Sequence, residues 1–167
     1  MDVLQRWPVS ARTANEEGQA RSAPRFLAGL RPWRFGSGRD RRLVGARVLV
    51  VDDYRQYRDA AADALTAVGG VVAFASNGWE ALDQLQGSRF DAVLMDLHMP
   101  MMDGYTAIAR IREQPGHRRL PVLAWSNDTD ARHRQRCLRI GANGLLAKAI
   151  EPWLLRQTLA GYLSTPA

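Results

Sequence analysis

Three short apolar runs each end in a charged side chain. Val48-Leu49-Val50-Val51 runs into the carboxylates Asp52 and Asp53, Val93-Leu94-Met95 into Asp96, and Gly144-Leu145-Leu146-Ala147 into Lys148. Lys148 is the only lysine among 23 basic residues. Carboxylates converging on one point repel one another, and at least one would stay protonated at neutral pH unless a cation joined them. A hard divalent ion with room for phosphate oxygens resolves that conflict. An oxygen-rich site with few protein ligands suits Mg²⁺, with Asp53 and Asp96 as direct ligands and Asp52 acting through water. A carboxylate can also attack phosphorus to give a mixed anhydride, and Asp96 is the candidate nucleophile. Lys148 can supply the cation opposite the metal, where a compact ammonium fits better than a planar guanidinium. Ser126, ending the run Pro121–Trp125, offers a hydroxyl able to turn toward a newly added phosphoryl oxygen.

These residues need strands that end together. Arg47–Val51, Val71–Ala75, Ala92–Met95, Pro121–Trp125 and Gly144–Ala147 read as strands of four or five residues, mostly without alternation, as in a parallel sheet buried on both faces. Between them, Tyr57, Ala61, Ala64, Leu65 and Val68 recur at helical spacing, as do Ala81, Leu82 and Leu85, then Tyr105, Ile108, Ala109 and Ile111. Arg132, Arg136 and Arg139 share one face of a fourth helical segment, and Pro152–Leu163 opens with proline at a helix start. The implied fold is α/β, a three-layer doubly wound (βα)5 sandwich on a parallel five-stranded sheet. In such sheets the ligand crevice lies beyond the carboxyl ends of the strands, where Asp52, Asp53, Asp96, Ser126 and Lys148 all fall.

Composition divides the chain. Residues 1–46 hold nine arginines against four acidic residues, and residues 47–167 fourteen against thirteen, so the basic excess belongs to the N-terminal stretch. With its prolines, glycines and no sustained period, residues 1–45 read as a basic arm or linker in which Trp7, Trp33 and Phe35 stand isolated, and 46–165 as the folded domain. A lone Cys137, no apolar run near the ~20 residues that cross a bilayer, and no secretory signal favour the cytoplasm.

On these motifs, residues of about 46–164 resemble the receiver domain of two-component response regulators, whose fold is flavodoxin-like, and the phrasing around Asp96 looks most like receivers of hybrid histidine kinases. Asp52-Asp53 resembles the family's acidic pair, Met95-Asp96 with Met99-Pro100 and Asp103-Gly104 its phosphoacceptor strand and loop, and Gly141-Ala142 leading to Lys148 its lysine segment. The intervals of 43 residues from Asp53 to Asp96, 30 to Ser126 and 22 to Lys148 agree with that pattern. The resemblance implies Asp96 as the phosphorylated aspartate, Asp52 and Asp53 as Mg²⁺ carboxylates, His98 as a metal ligand through its backbone carbonyl, Ser126 as switch hydroxyl and Lys148 as phosphoryl-binding cation. It implies a histidine kinase or histidine phosphotransfer protein as donor, and a downstream protein target at the fourth helix. At most it implies autophosphotransfer and slow autodephosphorylation. Two positions depart from the family: Ala149 stands where proline often follows the lysine, and Leu145 where an aromatic residue is common. These departures, with the N-terminal arm, motivate the alternative of a phosphorylation-independent interaction module, against which the intact acidic pair and lysine argue. The arginine face could also meet nucleic acid, but no recognition motif is visible and an acidic protein suits it better.

Overall fold

A computed structural model describes residues 40–163. The strands β1 (Arg47–Val51), β2 (Val71–Ala75), β3 (Ala92–Asp96), β4 (Val122–Ser126) and β5 (Gly144–Ala147) pair in parallel in the order β2-β1-β3-β4-β5. The order reverses between β1 and β3, so the chain ends of these two central strands flank the crevice that such a reversal opens. β1 is buried from its second residue onward, and β3 and β4 throughout, as their unbroken apolar character requires. β2 differs: Val71 and Phe74 are exposed, because it is the edge strand and pairs with β1 alone.

The helices divide between the faces. α1 (Arg55–Thr66) and α5 (Pro152–Tyr162) cover one side, where Val48, Val50, Leu94, Leu123 and Trp125 meet Leu65, Leu155 and Leu159. α2 (Gly78–Gly87), α3 (Gly104–Glu113) and α4 (Ala131–Arg139) cover the other, where Leu49, Val93 and Met95 meet Leu82, Leu85, Ile108 and Cys137. Three helices start on a side-chain cap. The Asn77 side chain accepts from the N–H groups of Trp79 and Glu80, Asp103 from Thr106 N–H at 2.7 Å, and Asp130 from His133 N–H at 2.7 Å. α1 stops at Thr66, so Val68 packs from the following turn rather than from the helix.

The folded unit begins earlier than residue 46. Asp40–Leu43 forms a short 3-10 helix, and Leu43 is fully buried in the α1/α5 core. The basic arm, with Trp7, Trp33 and Phe35, lies outside the described residues up to residue 39.

Two local arrangements fix the strand ends. Gly104 opens α3 directly against the backbone of Asp96, where a Cβ would collide with the Asp96 carbonyl and Leu97 Cα. Its N–H donates to the Leu97 carbonyl at 3.1 Å. On the far side Arg112 holds the approach to β5: Nε donates to the Gly141 carbonyl at 2.7 Å and a terminal nitrogen to Asn143 Oδ1 at 2.8 Å, the same oxygen that accepts from Val122 N–H. Gly104→Ala must push α3 away from the end of β3, so it should lower stability by roughly 2–3 kcal/mol, read as a reduced urea midpoint at unchanged slope.

Candidate functional site

β1 delivers Asp52 and Asp53, β3 delivers Asp96, and the continuation of β5 delivers Lys148 to one end of the sheet. Lys148 N–H donates to the Ser126 carbonyl at 2.9 Å, extending the β4–β5 ladder by one residue. The next turn closes through Ile150 N–H to the Ala147 carbonyl at 3.1 Å, and the Lys148–Ala149 peptide is trans. A proline at 149 is therefore not needed to bring the lysine to the acids.

The ammonium bridges two carboxylates. Lys148 Nζ donates to Asp96 Oδ2 at 2.8 Å and lies 2.8 Å from Asp52 Oδ2, the second contact being ionic rather than a well-directed hydrogen bond. All three groups are buried: Asp52 is 0% exposed, Asp96 1% and Lys148 5%. The other oxygens of the pair face backbone donors, Asp52 Oδ1 accepting from Tyr54 N–H at 2.9 Å and Asp96 Oδ1 from His98 N–H at 3.2 Å. Asp53 is different. Its Oδ1 is buried with no hydrogen-bond partner, and one oxygen each from Asp52, Asp53 and Asp96 lie within 4.8 Å of one another. One ammonium does not balance three carboxylates, and an orphaned buried carboxylate oxygen beside two others fits a hard cation that takes oxygen ligands.

Burial pushes the Asp52 carboxyl up, the Lys148 ammonium pulls it back and the nearby Asp96 charge raises it again, leaving it at about 6. For Lys148 burial acts downward, but the Asp52 and Asp96 contacts outweigh it and hold the ammonium above its ordinary value.

The remaining positions sort themselves around a cleft of about 630 Å³ lined by Asp53, Tyr57, Asp96, His98, Asn127 and Lys148, among others. Ser126 is fully buried at the end of β4, its Oγ accepting from Asp128 N–H at 3.2 Å, while Asn127 reaches the cleft. The His98 side chain is exposed, its ring edge-on to Tyr105 at 6.2 Å. Sequence reasoning missed Tyr57, whose ring lies beneath the Lys148 ammonium, 4.4 Å from Nζ to centroid. Helical spacing marks it only as a core position of α1, and the tertiary fold reveals the second contact. Trp125, fully buried, donates from Nε1 to the Ala147 carbonyl at 3.1 Å and meets Tyr57 edge to face.

A parallel five-stranded sandwich with an acidic triad and a lysine at the switch point defines the class of receiver folds. The model of the response regulator receiver domain matches residues 48–160, and the chain belongs to that family. It is 39% identical over 115 residues to the sensor histidine kinase RcsC of Salmonella typhimurium, an alignment that covers 69% of this chain and 12% of the kinase. The chain thus matches only a small part of that relative's length. Among solved structures, the chemotaxis response regulator CheY4 of Vibrio cholerae is 33% identical with a TM-score of 0.68, over 72% of this chain and all of that one. The receiver domain of the sensor histidine kinase PA1611 from Pseudomonas aeruginosa, solved with a magnesium ion coordinated in its active-site cleft, is 31% identical with a TM-score of 0.67, over 71% and 98% of the two chains. Among the described residues no helix is long and apolar enough to cross a membrane.

The raised Asp52 pKa makes a signed prediction. Between pH 3.8 and about 6 the folded state keeps a proton that the unfolded chain has released, so this group's contribution is full below 3.8 and is lost as pH rises through 6. Without divalent metal, Asp52→Asn should therefore gain stability relative to wild type across that window, by on the order of 3 kcal/mol. Parallel urea titrations at pH 4 and pH 7 measure the change, and a difference independent of pH would refute the assignment.

Proposed function

We propose that this domain accepts a phosphoryl group from a phosphohistidine onto Asp96 and uses the change in charge to switch between two conformers. The observation that carries the reading is the Lys148 ammonium held at 2.8 Å from both Asp96 and Asp52, beside the unpartnered oxygen of Asp53. In the transfer an Asp96 oxygen forms the new bond to phosphorus while the bond from phosphorus to the donor imidazole nitrogen breaks, its electron pair leaving with the imidazole. Little covalent chemistry is asked of the protein, so positioning and charge stabilisation dominate. Asp52, Asp53 and Asp96, with the His98 backbone carbonyl, would hold Mg²⁺, which would supply charge neutralisation on the phosphoryl oxygens. Lys148 exchanges its Asp96 partner for a phosphoryl oxygen on the opposite side. Ser126 turns its hydroxyl from the Asp128 amide toward the same group, a contact available in one state only, as a switch requires.

The donor is a histidine kinase or histidine phosphotransfer protein, and the downstream partner an acidic protein meeting α4. That helix presents exposed Arg132 and Arg139, while Arg136 stacks its guanidinium over the Tyr105 ring at 3.7 Å.

Full-length protein incubated with Mg²⁺ and acetyl phosphate should gain one phosphoryl group by intact mass. Asp96→Asn should gain none, Asp53→Asn should lose the response to Mg²⁺, and Lys148→Ala should label roughly 100-fold more slowly. Undiminished labelling of Asp96→Asn would sink the reading in favour of a phosphorylation-independent interaction module. Ser126→Ala should still label but lose the accompanying change in amide exchange at β4 and α4, and an intact change would remove Ser126 from the switch.

A further inference from the structure

Lys148 has three N–H donors and almost no contact with water, so the side of the ammonium turned away from the carboxylates needs a partner of its own. Tyr57, in the first turn of α1, occupies that side with the face of its ring, 4.4 Å from Nζ to centroid. A ring face carries negative electrostatic potential and attracts an ammonium, more strongly where water is excluded. The ring is itself braced. Its partner Trp125 lies 6.0 Å away between centroids at 72°, fully buried, its indole N–H engaged by the Ala147 carbonyl of the strand that leads to Lys148. Tyr57 and Lys148 both line the cleft that an incoming phosphoryl group must enter. A lysine has a flexible four-carbon stem and a point charge rather than a fixed fork, so something must fix its height once one carboxylate partner is exchanged.

We propose that Tyr57 is a positioning residue of this site: its ring face, braced by Trp125, holds the Lys148 ammonium where it can pass from the Asp96 carboxylate to the phosphoryl group that Asp96 receives. The proposal rests on the reading of Asp96 as phosphoacceptor. It assigns to α1 and β4 an aromatic support for the lysine, on the α1/α5 side of the sheet. Leu145, by contrast, packs with the α2/α3/α4 core.

The test separates the electronic role of the ring from its packing. Phenylalanine and then its mono-, di- and trifluorinated analogues are placed at position 57 of the full chain, which weakens the ring's attraction for a cation at nearly constant shape. Labelling is timed at saturating acetyl phosphate and Mg²⁺, and a melting curve is recorded for each protein. The maximal rate should fall stepwise, by about fivefold across the series, with melting temperatures unchanged. A flat series in chains that label normally overturns the proposal alone, because packing by itself would then explain Tyr57. The same series at the exposed Phe74 of the edge strand β2, outside the cleft, should be flat, and an equal slope there would also overturn it. A wild-type chain that takes no label overturns the Asp96 reading and this proposal with it.

Discussion

The bridge from Lys148 to Asp52 and Asp96 is the interaction on which the rest of the structure depends. Charges this deeply buried cost several kcal/mol each in desolvation, and only close opposite partners make them tolerable. Removing the ammonium would leave two carboxylates buried beside each other with Asp53 adjacent, so the lysine is needed by the fold as well as by the chemistry. The bridge also joins elements far apart in sequence. It requires the ends of β1, β3 and β5 to stop at one level, which is what the close approach of Gly104 and the clamp from Arg112 secure.

That bridge is strained in its resting state. A carboxyl at about 6 is a group whose charge the fold resists, and Asp53 keeps an oxygen that finds no donor. On the proposed function a cation would relieve both, and a phosphoryl oxygen would then take the place of Asp96 beside the ammonium. The proposed sensitivity to metal and to phosphate would follow from the same imbalance, since a fully compensated site has no reason to rearrange.

Much of this was legible in the chain. β1, β2 and β5 fall on the residues their apolar runs mark, β3 extends one residue further, to Asp96, and β4 is shifted by one, starting at Val122 rather than Pro121 and ending at Ser126, where parallel neighbours supply ladder partners. The five charged or hydroxyl-bearing residues at the ends of four strands were legible because a doubly wound sheet gathers strand ends by topology alone. Leu43 was not, since a single buried leucine in an arginine-rich stretch has no period to announce it. Trp125 and Tyr57 were not, since a buried indole is explained only by the β4–β5 register that offers the Ala147 carbonyl, and helical spacing cannot say which ring will face a lysine from the opposite end of the domain. Ala149 was a departure whose effect depended on the turn itself, and that turn closes without proline.

The parallel order of the sheet bears on how the domain is made. Vectorial synthesis delivers Asp52 and Asp96 first, on strands that are direct neighbours in the sheet, while the cation they share lies 52 residues beyond Asp96. A nascent chain that has paired β1 with β3 therefore carries mutually repelling acids until the ribosome releases the final strand. The ammonium arrives with the last of the five strands, and α5 follows it to cover the face of the sheet that it shares with α1.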